Sequence, residues 1–186
     1  MVDGKEGRKG SSRVRQAEAS AIAREVKRIA DSCGPSLSIG IISFYRAQCE
    51  LILDSFVEQG LADQDDGDVR IARQYRQTDL GEERLRVGTV DAFQGKEFDL
   101  VFLSVVRAND KVVSDQIDGV ERDRLLTGKY GHLRLANRLN VAMSRQRKLL
   151  VAVGDRGMAE GTEAEVAVPA LAEFLKLCRK EASNVR

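Results

Sequence analysis

The stretch VGTVDAFQGKEFDLVFLSVVR, residues 87–107, decides the fold that this sequence predicts. A short β-branched run at residues 87–90 is followed by the polar segment DAFQGKEFD and then by LVFLSVV, a nearly continuous apolar run. An apolar run without polar alternation is typical of a strand covered on both faces, as in a parallel sheet between helices. We expect the polar loop between the two strands at the carboxyl edge of the sheet, where open α/β folds bind ligands.

The rest of the chain alternates helices and strands in the same way. Apolar residues at helical spacing predict a helix over residues 13–32, and the run LSIGIIS predicts a buried strand over residues 37–43. The further predicted elements are a helix over 46–59, a short strand over 69–71, a helix over 132–144, a strand over 148–153 and a closing helix over 164–182.

This pattern predicts an α/β fold, a single domain over residues 1–186 with a mainly parallel sheet flanked by helices on both faces. Two segments lack periodicity. We expect residues 1–12 to form an irregular lead-in and residues 108–131 to form a long loop, a kind of segment that is often functional in compact domains.

The composition is typical of a globular intracellular protein. The chain is 42% hydrophobic and 32% charged, and its N-terminus has no apolar segment that resembles a signal sequence. It has no apolar run near the ~20 residues that span a bilayer. Three cysteines, an odd number at distant positions, favour reduced thiols over a disulfide framework. We therefore expect an intracellular protein with no membrane partner.

Charge and histidine content limit the kinds of site. Thirty basic and twenty-nine acidic residues leave a net charge of +1, so any nucleic-acid-binding surface has to be local, as in the basic segment 134–148. A single histidine, His132, and the lack of a C-x-x-C motif argue against a metal site. The acidic segment 63–68 has Gly67 one place too early for an EF-hand and is interpreted as a surface loop.

Arg145 is the best candidate for phosphate chemistry. It lies between a predicted helix and the strand KLLVAVG, and its planar guanidinium group can donate two parallel hydrogen bonds to phosphate oxygens. We expect it at the ligand-binding edge of the sheet. An exposed arginine in a basic turn is the alternative interpretation from position alone.

The sequence has no Walker A loop, GxxxxGK[ST], to hold phosphates. None of the three Gly-Lys pairs, which begin at Gly4, Gly95 and Gly128, has the required residues around it. An arginine without such a loop is expected in a domain that inserts an arginine finger toward a nucleotide bound by another domain. A metabolic α/β enzyme would need an acid-base or nucleophile set that this sequence does not supply.

Three segments resemble motifs of superfamily 1 helicases of the up-frameshift type, which include senataxin-like and immunoglobulin mu-binding helicases. Motif IV is matched by the segment IGIISFYRAQCELI. Motif V is matched by VGTVDAFQGKEFDLVFLSVVRAN, and motif VI by NRLNVAMSRQRKLLVAVGD. The helix with Gln16, Glu18 and Ala19 resembles the segment before motif IV. The resemblance covers roughly residues 12–155 in order and implies the second, C-terminal RecA-like domain of the motor.

The resemblance also implies roles for single residues. Arg145 matches the arginine finger that contacts the γ-phosphate of ATP. The other implied contacts are those of Gln94, Gly95 and Glu97 with the nucleotide, and those of Ser43, Tyr45, Thr89, Arg107 and Asn109 with single-stranded DNA or RNA.

Motifs I, II and III are absent from the 186 residues. The resemblance therefore implies that ATP with magnesium is held mainly by an N-terminal RecA-like domain, in the same longer chain or in trans. It also implies that this chain alone does not hydrolyse ATP. A stand-alone, non-catalytic module that binds nucleic acid or protein is the alternative.

Overall fold

A computed structural model describes residues 4–114 and 116–184 of the chain. Its strands are β1 (Gly7–Lys9), β2 (Ser12–Val14), β3 (Ile39–Ser43), β4 (Ala62–Asp65), β5 (Asp68–Ile71), β6 (Leu85–Thr89), β7 (Phe98–Ser104) and β8 (Gln146–Val153). Its helices are α1 (Gln16–Cys33), α2 (Arg46–Glu58), α3 (Gly119–Tyr130), α4 (Ala136–Ala142), α5 (Gly161–Ala167) and α6 (Pro169–Asn184).

The central sheet has four parallel strands in the order β6–β3–β7–β8. Ile41 in the middle of β3 lies opposite Val87 of β6 and Phe102 of β7. All residues of β7 are buried, as its apolar run indicates. The predicted α/β fold with a parallel sheet is thus confirmed.

Helices cover both faces of this sheet. Successive residues of a strand point to opposite faces, so Ile41 packs with α1 and α2, whereas Ile42 packs with the helices that follow β7. The side chains of β7 divide in the same way, with Phe102 on the first face and Leu103 on the second. Two apolar cores therefore hold the sheet from either side.

The connection between β6 and β7 does not remain at the carboxyl edge, where we expected it. Because the two strands are parallel, the connection has to return to the amino end of β7. It crosses one face of the sheet, where Phe93 lies so close to Gly40 that a Cβ atom on this glycine would be 2.7 Å from the ring. Residues 94–97 consequently lie at the amino edge.

Two segments expected to be irregular contain regular structure. In the lead-in, residues 1–12, β1 pairs antiparallel with β2 through a turn at Gly10, whose φ is 62°. In the loop, residues 108–131, α3 occupies the second half; its buried residues are only Leu126 and Tyr130, too few for a periodic pattern. The expectation of irregular structure is wrong at β1 and at α3, whereas residues 108–114 and 116–118 contain neither a helix nor a strand. Residues 1–3 and 115 lie outside the described residues.

Two predicted helices are divided. The closing helix over residues 164–182 is in fact α5 and α6, which are separated by Val168. Pro169 begins α6, because a proline fits the first turn of a helix, where no N–H is needed. The helix predicted over residues 132–144 is a 3₁₀ turn followed by α4.

The acidic segment 63–68 belongs to a β-hairpin and is not a loop. It pairs β4 with β5, and the two residues of its turn, Asp66 and Gly67, have φ values of 46° and 85°. Such positive values are typical of tight hairpin turns between antiparallel strands. The strand predicted over residues 69–71 is part of this hairpin.

Candidate nucleotide and nucleic-acid sites

Arg145 and the connection from β6 meet at the amino edge of the sheet. The Arg145 carbonyl oxygen accepts a hydrogen bond of 3.0 Å from the N–H of Phe98, the first residue of β7. Gln94, Gly95 and Glu97 are exposed just before Phe98. The four residues implied at the nucleotide therefore lie together, but at the edge opposite to the expected one, because a residue that precedes a parallel strand lies at its amino end.

The Arg145 side chain is held against the end of α4. Its Nε donates to the carbonyl oxygen of Val141 at 3.1 Å, and its Nη2 donates to Oγ of Ser144 at 3.0 Å. The carbonyl end of a helix carries partial negative charge, which favours a cation there. The guanidinium group is thus half-buried and oriented by the fold.

Other cations at the amino edge are held in ion pairs with carboxylates. The pairs are Lys96 with Glu83 at 2.7 Å, Arg147 with Glu82 at 3.3 Å and Lys148 with Asp99 at 3.1 Å. Burial acts to raise the pKa of Asp99, but hydrogen bonds from Ser38 and Lys148 outweigh it and hold this pKa below its ordinary value. The exposed pairs of Lys96 and Arg147 contribute little stability, so these two cations can exchange partners readily. Lys148, by contrast, pairs with the buried carboxylate of Asp99.

Ser43 and Thr89 lie side by side at the opposite, carboxyl edge. They end β3 and β6 and are paired in register. Ser43 is fully buried; its Oγ accepts a hydrogen bond from the N–H of Tyr45 and donates one to the carbonyl oxygen of Ser104. The Ser43 hydroxyl therefore shapes the turn into α2, while Thr89 is only half-buried.

Arg107 and Asn109 are bound by Glu6. The Glu6 carboxylate accepts hydrogen bonds from Nε of Arg107 at 2.8 Å, from the N–H of Ala108 at 2.9 Å and from the Asn109 amide at 3.2 Å. Arg107 also donates to the carbonyl oxygen of Gly128 and is only 4% exposed. In this arrangement the two side chains join the N-terminal segment to α3. Their contact with single-stranded DNA or RNA stays a prediction.

Tyr45 is buried behind His132 at the same edge. The centroids of the two rings are 5.1 Å apart at an interplanar angle of 56°. The Tyr45 hydroxyl accepts a long hydrogen bond of 3.5 Å from Arg107. Tyr45 is 6% exposed, so of these two rings it is His132 that faces solvent.

Glu18 is a buried carboxyl group to which the sequence assigned no role in a site. It accepts hydrogen bonds from Oγ of Ser104 at 2.7 Å and from the N–H of Val106 at 2.9 Å, and it pairs with Arg15 at 2.9 Å. Burial raises the pKa of Glu18, although these hydrogen bonds act to lower it. The Glu18 side chain thus connects α1 to the C-terminal end of β7.

The backbone that Glu18 holds has an unusual conformation. Val106 has a φ of 68°, a value that β-branched residues rarely adopt. A signal for this network exists in the sequence, because Glu18 lies four and eight residues before Ile22 and Val26 on the buried face of α1. A carboxylate on an apolar helix face indicates a buried polar partner.

Across residues 4–114 and 116–184, no helix has the length and apolar character needed to cross a membrane. In the same part of the chain, no group of three His, Cys, Asp or Glu side chains could hold a metal ion.

Similarity to known proteins covers most of the chain. A protein family described as an AAA domain matches residues 2–157. The chain is 30% identical over 144 residues to the DNA polymerase alpha-associated DNA helicase A of Saccharomyces cerevisiae, a match that covers 77% of this chain and 16% of that protein. It is 32% identical over 159 residues to the RNA helicase Mov10l1 of Homo sapiens, covering 83% of this chain and 11% of that protein.

The chain thus spans about a sixth or less of the length of these curated relatives. The family match contains the three motif-like segments, and the four-stranded parallel sheet is consistent with a RecA-like fold. The chain therefore belongs to the AAA domain family and corresponds to the second, C-terminal RecA-like domain of a superfamily 1 helicase of the up-frameshift type.

Proposed function

We propose that this chain is the C-terminal motor domain of an ATP-dependent DNA or RNA helicase or translocase. It supplies the arginine finger and part of the strand track, by which we mean the surface that contacts single-stranded DNA or RNA. An N-terminal RecA-like domain, in the same longer chain or in trans, holds ATP and magnesium. The observation that carries this proposal is that Arg145, Gln94, Gly95 and Glu97 all lie at one accessible edge of the sheet.

The chemistry of the amino edge supports a phosphate partner. Its cations, among them Arg145, Arg147 and Lys96, are suited to phosphate oxygens. Magnesium at a nucleotide site is usually held by one or two carboxylates together with the phosphates and water. The cations of this edge fit the charge of the phosphates, and the proposal assigns the metal to the other domain, as the missing Walker A loop implies.

The proposed role of Arg145 is to stabilise charge on the transferred phosphoryl group. An arginine that reaches this group from a second domain accelerates hydrolysis by about 10³–10⁵-fold in comparable sites. The guanidinium is already oriented by Val141 and Ser144, so closure of the cleft between the two domains delivers it. Closure and reopening then shift the strand contacts of one domain relative to the other.

Substitution of Arg145 tests the finger. In a protein that contains both motor domains, we expect Arg145→Ala to lower the rate of ATP hydrolysis by about 10³-fold or more, with ATP affinity changed far less. Arg145→Lys should recover little activity, because a lysine cannot reproduce the planar fork. Single-turnover hydrolysis and nucleotide titration measure the two effects separately.

Arg28→Ala is the matched control, since Arg28 lies on the exposed face of α1 and pairs only locally with Glu25 at 2.6 Å. It should leave hydrolysis unchanged. If Arg145→Ala hydrolyses ATP at the parental rate while it still binds nucleotide, the finger assignment is wrong. Both single-stranded DNA and RNA should be tested as activators, because one relative above is named as a DNA helicase and the other as an RNA helicase.

A further inference from the structure

A polar cleft of about 440 Å³ lies at the carboxyl edge of the sheet, away from Arg145. The cleft is lined by Lys9 at the end of β1, by Arg46 in the first turn of α2 and by His132. Its volume lies within the range of about 300–1,000 Å³ that is usual for small-ligand sites.

The aromatic part of the cleft is the His132 ring, which packs against Tyr45. His132 is exposed, and the buried Tyr45 ring supports it at 5.1 Å. Burial, followed by the charges of Arg138 and Arg107, lowers the pKa of His132, which favours the neutral ring. A neutral aromatic ring on a fixed support is the kind of surface on which nucleic-acid bases stack.

The charged part of the cleft contains two cations and one carboxylate. Lys9 and Arg46 each lie 3.4 Å from Glu50, and their side chains are 60% and 88% exposed. Ion pairs of this length and exposure are weak, so a phosphate group can replace Glu50 at little cost. The cleft also adjoins the N-terminal turn of α2, where no side-chain cap is present and the helix dipole favours an anion.

The accessible donors at the carboxyl edge are thus not those implied by the motifs. Arg107 and Asn109 are occupied by Glu6, whereas Lys9, Arg46 and His132 face solvent around one cleft. The His132 ring and the two cations therefore line one space, whose volume is sufficient for a base and its phosphate.

We propose that this cleft binds one nucleotide of the single strand, with its base against His132 and its phosphate between Lys9 and Arg46. This inference rests on the proposed function, because it assigns residues to the strand track of the same motor domain. It makes the β1–β2 hairpin a contact element for the strand.

The test measures binding of fluorescein-labelled oligo-dT and oligo-U to the 186-residue chain by fluorescence anisotropy, at several salt concentrations. We expect His132→Ala to weaken binding by about fivefold to a hundredfold, the loss that corresponds to one stacked base. His132→Phe should restore affinity, because it retains an aromatic face. In neither variant should the slope of log K against log salt change.

The double variant Lys9→Ala/Arg46→Ala should weaken binding and reduce that slope by about 0.7 for each lost phosphate contact. A merely structural role for these exposed side chains would not change the slope. Arg28→Ala removes a charge far from the cleft and serves as the control; thermal unfolding verifies that each variant is folded.

The outcomes separate the two proposals. If the parental chain binds neither strand even at low salt, the strand track of the proposed function fails, and the cleft assignment fails with it. If the parental chain binds but the His132→Ala and Lys9→Ala/Arg46→Ala variants bind equally well, the cleft is not on the track, while the motor proposal stands.

Discussion

At the scale of single residues, the buried Glu18–Arg15 pair should have a large effect on stability. Both side chains are almost fully buried, and Glu18 also accepts the N–H of Val106 and the hydroxyl of Ser104. Glu18→Ala leaves a buried guanidinium and a backbone N–H without this partner, so we expect the free energy of unfolding to fall by about 3–5 kcal/mol. Urea denaturation measures the loss.

Glu25→Ala provides the comparison within the same helix. Glu25 pairs with Arg28 on the surface, with 44% of its side chain exposed. We expect a change within about 0.5 kcal/mol. Equal stability of the Glu18→Ala and Glu25→Ala variants would contradict a structural role for the buried pair.

The three cysteines should differ in reactivity. Cys49 is buried, and burial raises the pKa of its thiol to about 12, whereas Cys33 and Cys178 are exposed. Because the thiolate is the reactive form, Cys49 should remain unlabelled at pH 7–9 until the chain unfolds. Mass spectrometry after maleimide treatment should find two labels on the native chain and three in denaturant. A third label under native conditions would contradict the burial of Cys49.

At the scale of elements, the crossing of the β6–β7 connection over the sheet depends on Gly40. A Cβ atom there would lie 2.7 Å from Phe93 and 3.0 Å from Phe98. We expect Gly40→Ala to lower the free energy of unfolding by about 1–3 kcal/mol, as overpacking usually does. It should also speed amide hydrogen exchange over residues 94–97, because Phe93 anchors that segment.

Gly128→Ala is the corresponding control in α3. Its Cβ atom would meet only the end of the Lys111 side chain, at 3.2 Å, and alanine favours a helix over glycine. It should be neutral or stabilising by up to about 1 kcal/mol. If both alanine variants are as stable as the parent, the close contact at Gly40 does not constrain the connection.

At the scale of the whole molecule, the domain should bind single-stranded DNA or RNA without hydrolysing ATP. The sequence contains no Walker A loop, and a net charge of +1 means that strand binding relies on local cations. We expect no ATP turnover by the 186-residue chain, with or without single-stranded DNA or RNA, and strand affinity that falls as salt rises. ATP turnover that persists through repeated purification would contradict the proposal that this chain needs a second motor domain to hold ATP.

The alternative, a non-catalytic binding module, gives the same result for the isolated chain. Adding the proposed N-terminal RecA-like domain distinguishes them. A motor domain should make strand-stimulated hydrolysis depend on Arg145, whereas a module should leave hydrolysis by the added domain unchanged by Arg145→Ala.

The sequence by itself determined the parallel α/β fold, the helices on both faces and the family. The apolar run of β7 and the spacing of the motifs are local patterns. Local patterns can be recognised from the order of residues alone. Two elements were not predicted because their local patterns are too weak. Helix α3 buries only two of its described side chains, and each strand of the β1–β2 hairpin is only three residues long.

Only the tertiary structure decided which edge carries which site. Arg145 and the connection to β7 share the amino edge because parallel strands force every connection back to that end. Contacts between distant residues decided the rest: Glu18 holds Val106 across 88 positions, and Glu6 occupies Arg107 across 101. No local pattern encodes such pairs, since the partners become neighbours only when the sheet has formed.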